Sequence, residues 1–432
     1  MATEIDHPYE FRTFPAAAPD GRADEATRNW LAAEARGFHE SRMTAEAIDL
    51  AAAVIAADGR RLTGVYTTSA PESALAPEVP VATFAAYEHT LNVGGAELLP
   101  AHLIAGVTVR PTHRRRGLLR RMMTDDLTAA HAAGHALAAL TVSEATIYRR
   151  FGFGTAYSVD SITVPAGHRF RLTVPTTGRC ELIDAHELVS IAPRVFSAFH
   201  ARTPGSVDRQ QAYWRRSAGL AGPNGGADDT VRAIVHYSED GAIDGYAAYR
   251  VHEGERTTEL EVIDLVAATD GAYLGLWELL GSMDLVDTVR FDAAPADDPL
   301  RWALADWRAV RTTSRSDRLW IRLLDVVAAF EARGYLPGAE GEVVIEVADD
   351  LGFATGRYRI RVAGGRAHVT DGEAAAPDLE LEAWVLGSLY LGAVDARTLA
   401  SAGRIVERTP GAVGRLAGLL TPVRPVYGVT HF

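Results

Sequence analysis

The chain has 432 residues, 47% of them hydrophobic and 23% charged, with a formal net charge of −13. That length exceeds one ordinary core, so two or three domains are expected; the acidic balance disfavours nucleic acid and favours cationic small molecules or basic peptides as partners. No apolar stretch long enough to span a bilayer is free of charge, the acidic start at Met1 does not read as a secretory signal, and the single cysteine, Cys180, excludes an internal disulfide, all of which point to a cytoplasmic protein without a membrane span.

All 43 Lys+Arg residues are arginine. The chain therefore has no lysine for a Schiff base and none of its own to acylate; codon bias in a GC-rich genome explains this, and the abundance of alanine, equally well. In chain order, residues 9–15 read as an edge strand and 25–39 as a helix. Residues 51–110 read mainly as strands, at 61–67, 80–87 and 103–109. Next comes a helix with apolar positions Leu118, Leu119, Met122, Met123 and Leu127, an apolar run at 136–142, and a helical stretch at 143–151 ended by Gly152 and Gly154.

A second pass of similar order suggests an internal repeat: a helix at 187–201, strands at 231–237, 245–251 and 258–267, and a helix at 271–280. Its last strand-to-helix junction, through Thr269, Asp270 and Gly271, lacks the basic residues of the first, so a phosphate site is not expected there. From residue 298 the pattern changes to α+β, with strands at 342–347, 356–362 and 366–370, a hairpin turn at Gly364 and Gly365, and helices at 384–391 and 396–405. The expected units are 1–160, 161–297 and 298–432.

The most informative residues are Arg114, Arg115, Arg116 and Gly117, between the strand at 103–109 and the following helix. The first N–H groups of a helix lack internal partners and carry the positive end of its dipole, and arginines add full charges. A phosphate seat is the strongest reading. A solvated basic turn is the bland alternative, and a nucleic-acid patch is weaker because interleaved aromatics are lacking and the chain is acidic. Neither a nucleotide P-loop nor a dinucleotide fingerprint is present.

The run Val107-Thr108-Val109-Arg110-Pro111-Thr112-His113-Arg114-Arg115-Arg116-Gly117-Leu118-Leu119 resembles the coenzyme A motif of the GNAT N-acetyltransferases, and more closely that of the Eis (enhanced intracellular survival) acetyltransferases of actinobacteria. Ser143-Glu144-Ala145-Thr146-Ile147-Tyr148-Arg149-Arg150-Phe151-Gly152 resembles a second Eis signature, and similar matches at Asp298-Pro299-Leu300, 317–322, 329–335 and 386–392 carry the resemblance over nearly the whole chain. The resemblance implies tandem GNAT domains, each a mixed sheet with helices on both faces, the second degenerate, followed by an α+β domain similar to sterol carrier protein. It also implies transfer of acetyl from acetyl-coenzyme A to primary amines of cationic acceptors, aminoglycosides foremost, by a homohexamer. Two other classes stay open: a protein lysine acetyltransferase and a non-catalytic ligand carrier.

Acyl transfer from a thioester to an amine requires a fixed donor, a polarised carbonyl, a neutral amine and a protonated leaving sulfur. By resemblance, the amides of Arg115, Arg116, Gly117, Leu118, Leu119 and Arg120 hold the pyrophosphate, Val107, Thr108 and Val109 pair with the pantetheine arm, and Ser143 and Glu144 add contacts. The amide of Val107 would face the thioester oxygen. Tyr148 is the expected general acid, although on sequence alone a packed aromatic is an equal reading. In the family the C-terminal carboxylate is the base, which assigns that role to Phe432 against the ordinary reading of a frayed end. Phe38 and Glu40 fall in the stretch that lines the family's acceptor cavity, where Glu40 reads equally as a surface glutamate. His431 replaces an expected acidic residue and offers a different base. Gly106 stands where the family often has an aromatic, implying a wider or reshaped pocket. No metal is implied, since His113, His131 and His135 have no accompanying ligand set.

Overall fold

The computed structural model describes residues 9–222 and 226–432; the acidic start at Met1 lies outside them. The first unit runs β1 (Tyr9–Pro15), α1 (Glu25–Gly37), α2 (Ala45–Ala57), β2 (Arg61–Thr67), β3 (Ala82–Leu91), β4 (Leu99–Val109), α3 (Leu118–Ala132), β5 (Leu137–Leu140), α4 (Ala145–Tyr148) and β6 (Gly154–Pro165). Asp24 and Thr44 cap α1 and α2, their side chains accepting from the amides of Thr27 and Ala47. Helix α2 departs from the strand reading of this region. Its AEAIDLAAAVIAA sequence is apolar on nearly every side, which dulls the helical period.

The second unit contains β7 (Arg179–Ile183), α5 (Leu188–Arg202), α6 (Gln211–Ser217), β8 (Arg232–Tyr237), β9 (Ile243–Glu253), β10 (Thr258–Ala267), α7 (Asp270–Gly281) and β11 (Thr288–Pro295), followed by α8 (Leu300–Ala303) and β12 (Arg311–Leu323). The strands of both units form a 12-stranded sheet in the order β1-β2-β3-β4-β5-β12-β6-β11-β10-β9-β8-β7. Neighbours are antiparallel except β4 with β5 and β10 with β11, and these parallel pairs are bridged by α3 and α7. The centre of the sheet is an exchange: β6, from the first unit, pairs with β11, while β12 pairs with β5 through Trp320↔Leu140 and Ile321↔Ala139.

The expected third unit therefore starts too early at residue 298, because β12 belongs to the large sheet. The separate sheet begins after it, with α9 (Val326–Ala332), β13 (Gly341–Ala348), β14 (Gly356–Ala363), β15 (Arg366–Asp371), β16 (Leu379–Glu382), α10 (Ala383–Leu389), α11 (Ala396–Ser401), β17 (Ile405–Glu407) and α12 (Ala412–Leu419). Its five strands run β15-β14-β13-β16-β17. The helix expected at 396–405 stops at Ser401, because Gly403 at φ 70° reverses the chain and sends Ile405 into β17. Leu137 and Ile321 of the large sheet share one buried cluster with Leu386, Leu389 and Tyr427, so the third unit is packed onto the others.

Candidate active site

The site is built where two parallel strands part. β4 and β5 pair at His102↔Ala138, Leu103↔Ala139 and Ile104↔Leu140; β5 then ends while β4 continues to Val109. Opposite β3, residues Gly106 and Val107 face the single residue Phe84, a bulge in which Gly106 takes φ 59°. The Thr83 hydroxyl clamps it, donating to the Gly106 carbonyl at 2.8 Å and lying 2.7 Å from the Thr108 hydroxyl. A bulge of this kind interrupts the ladder and re-aims the backbone around Val107.

Gly106 does not leave the wider pocket that its missing side chain implied. A Cβ there would lie 2.5 Å from Glu34 Oε1 and 2.7 Å from the Trp30 ring, so α1 fills the space and any side chain at 106 is excluded by contact and by φ. Gly37 has the same role one turn further on, where a Cβ would fall 2.5 Å from Thr108.

At the far end of the gap, Gly117 at φ 76° starts α3 with no side-chain cap, and Arg115 is also left-handed at φ 62°. The first-turn amides of α3 are thus left for an anion, amid exposed Arg114, Arg115, Arg116 and Arg120. Arg116 is held in place by Tyr9, whose hydroxyl accepts from its guanidinium at 2.8 Å.

One cleft of about 820 Å³ brings together Phe38, Val107, Thr108, Val109, Arg115, Arg116, Gly117, Leu118, Leu119, Arg120, Ser143, Glu144 and Tyr148. That size is within the ordinary range for small-molecule sites. His113, Arg114 and Arg150 line it as well, and were legible only as members of the basic motifs. Tyr148 closes α4 and is 7% exposed; burial, then the Glu144 carboxylate, pushes its phenol up to about 12.

Phe432 docks on Thr141, 291 residues earlier in sequence, just past the end of β5. The Thr141 hydroxyl donates to the Phe432 main-chain oxygen and accepts from the Phe432 amide at 3.2 Å, while the Phe432 ring meets Tyr87 edge-on at 5.9 Å. Thr141 directly follows β5 and lies two residues before Ser143. The tail is anchored upstream by the Thr430 hydroxyl, which donates to the Val207 carbonyl at 2.8 Å, and by the Tyr213 hydroxyl, which donates to the His431 carbonyl at 2.8 Å.

Two expected acceptor contacts are not brought in. Glu40 lines a separate cavity with Arg28, Arg36 and Arg42, because His39 at φ 61° turns the chain away after Phe38. The His431 ring lies in another cavity beside Tyr213, Arg216 and Arg318, where burial, then the two guanidiniums, push it down to about 4. That surrounding favours the neutral imidazole and places the ring outside the lining of the cleft that holds Tyr148. Conversely, Glu34 and Thr141 were missed. The signal for Glu34 is a charged residue on the buried stripe of a helix between Trp30, Leu31 and Ala35; Thr141 carried none.

Residues 24–156 and again 205–325 match the acetyltransferase (GNAT) domain, and 326–428 match the sterol carrier protein domain. The N-acetyltransferase Eis of Mycobacterium tuberculosis is 35% identical over 351 residues, covering 79% of this chain and 83% of that relative. The chain belongs to the Eis N-acetyltransferase family. An uncharacterized N-acetyltransferase of Streptomyces griseus is 39% identical over 344 residues, 77% of this chain and 82% of its own. The crystal structure of Eis1 from Mycobacterium abscessus superposes with a TM-score of 0.79 at 28% identity, covering 98% of this chain and all of that one. The Eis architecture of two GNAT domains and a sterol carrier protein domain is thus present here, in an acetyltransferase of a fold family that uses acetyl-coenzyme A. Among the described residues no helix is long and apolar enough to cross a membrane, and no group of three or more His, Cys, Asp or Glu is placed to hold a metal.

Proposed function

We propose that this Eis-family enzyme moves acetyl from acetyl-coenzyme A to primary amines of cationic acceptors, with aminoglycosides the leading class. The observation that carries this reading is one cleft in which an uncapped helix start among arginines meets Val107 of the Gly106–Val107 bulge and Tyr148, with Phe432 docked on Thr141, two residues before the Ser143 of its lining. The α3 amides with Arg115, Arg116 and Arg120 fit the pyrophosphate, and the open edge of Val107, Thr108 and Val109 fits the pantetheine arm as an added strand. The amine nitrogen attacks the acetyl carbon, the carbon–sulfur bond breaks, and the pair of electrons leaves on sulfur. The Val107 amide faces the oxygen as charge builds there.

With a phenol near 12, Tyr148 stays protonated through the neutral range and serves as donor to the leaving sulfur. Full transfer to a thiolate of ordinary basicity is uphill by roughly 5 kcal/mol, so hydrogen bonding to the sulfur comes first and the proton follows as the product leaves. The Phe432 carboxylate takes the proton from the acceptor nitrogen, and Thr141 sets its position.

A mass-spectrometric screen with acetyl-coenzyme A tests the reading: mono- or multi-acetylated aminoglycosides are expected, with lysine peptides slower. Acetylation of peptides alone makes the enzyme a protein acetyltransferase instead. The family resemblance further supports a cytoplasmic homohexamer, to be tested for assembly by light scattering.

A further inference from the structure

Helix α1 lays one face along the open part of β4: Trp30 and Glu34 against Gly106, then Gly37 against Thr108, then Phe38 at the cleft. Glu34 Oε1 occupies the place where a side chain at 106 would begin, one residue from Val107 at the bulge. Glutamates seldom point inward unless paired, because a desolvated carboxylate is costly. Here, among the described residues, no hydrogen bond acts on the carboxyl, and the charged groups that do are Arg60, in the turn after α2, and Glu40, beyond the end of α1. Arg60 is already engaged, 3.3 Å from Asp58 and stacked 4.5 Å over the Tyr87 ring. β4 presents Gly106 on the remaining side. The group is set deep yet is not sealed from solvent.

From this geometry we infer that Glu34 is an acceptor-binding residue, holding the substrate's ammonium group at the bulge where the thioester carbonyl lies. An ammonium supplies what Arg60 does not, several N–H donors bonded directly to the carboxyl, and charge-assisted bonds of this kind are the strong ones. The inference rests on the acetyl-transfer reading above and deepens it: the enzyme selects acceptors by a buried carboxylate on α1 as well as by its overall negative field. Burial raises the Glu34 carboxyl to about 7. The anionic form that binds ammonium therefore fills in as pH rises through that value, and acceptor affinity should rise with it.

The experiment is steady-state kinetics with putrescine and with tobramycin on the full chain, wild type, Glu34→Gln and Glu34→Asp, from about pH 6 to about pH 8.5. Expected are an amine KM at least about tenfold higher in Glu34→Gln, kcat and the KM for acetyl-coenzyme A within about twofold, and partial rescue by Glu34→Asp. In wild type the amine KM should fall as pH rises through about 7, a dependence that Glu34→Gln loses. The wild-type profile requires no variant to fold. An unchanged amine KM and pH profile in Glu34→Gln overturns Glu34 while leaving acetyl transfer standing. A wild type that acetylates neither amine overturns both readings.

Discussion

The two GNAT units repeat one topology and use it in opposite ways. In the first, β4 and β5 part in front of a helix with a glycine at its start and no side-chain cap. In the second, β10 and β11 part in front of α7, but the Thr269 side chain already accepts from the Ala272 amide at 3.0 Å, and Asp270 sits in the first turn, 2.6 Å from Arg202. An amide that is capped and faced by a carboxylate repels the anion that the first junction invites. The gap itself is filled differently too. The first keeps a cleft of about 820 Å³, whereas the second retains about 140 Å³ beside Arg424, Pro425 and Tyr427 of the tail. Tyr427 is buried there and its hydroxyl donates to the Ala293 carbonyl at 2.6 Å. The groove that a donor would enter in one unit is occupied in the other by the segment leading to Phe432.

The sharpest way to break this contrast is at Tyr148. Tyr148→Phe is expected to lower kcat by about 100-fold or more while leaving the KM for acetyl-coenzyme A within about twofold; unchanged turnover would remove the residue from the chemistry. Next in size, a few residues appended after Phe432 should reduce kcat at least about tenfold with acetyl-coenzyme A binding intact, since the carboxylate no longer stands beside Thr141. Full activity of that protein would rule the carboxylate out.

Replacing Arg115 and Arg116 together by alanine should weaken acetyl-coenzyme A by about tenfold in titration calorimetry, with a wild-type stoichiometry of one donor per chain. A second donor site would contradict the account of the capped junction. The smallest effect concerns Asp298, whose carboxyl accepts from the Tyr273 hydroxyl at 2.8 Å while its Oδ2 has no partner among the described residues; burial raises it to about 6. Because the folded-state value exceeds that of the unfolded chain, the folded state keeps this proton between about pH 4 and 6, and stability is lost as pH rises through that window. Asp298→Asn should therefore match wild type in thermal unfolding below about pH 4 and exceed it at about pH 8. Equal curves at both values would place the ionisation elsewhere.

What was legible in sequence was local. The Arg114 to Gly117 junction declares a helix start within a few residues, and its neighbours Val107 to Val109 and Ser143 to Tyr148 lie on adjoining elements, so the cleft could be assembled from short-range patterns. Glu40 was misplaced because one left-handed residue, His39, separates it from Phe38, and no hydropathy pattern encodes that reversal. Glu34 was hidden in an alanine-rich helix where a glutamate is an ordinary solvent-facing residue. Phe432 was reached through family resemblance alone, since its partner Thr141 lies 291 residues earlier in the chain. The place of β12 was illegible for the same reason: pairing across well over a hundred residues leaves no local periodicity.

That exchange of β6 and β12 has an evolutionary consequence. Each six-stranded half is completed by a strand drawn from beyond its own stretch of sequence, so a break between the halves would strip β5 and β11 of neighbours and leave bare hydrophobic edges. Two halves joined in this way cannot be inherited separately, because the first cannot close its sheet without the strand that follows the second.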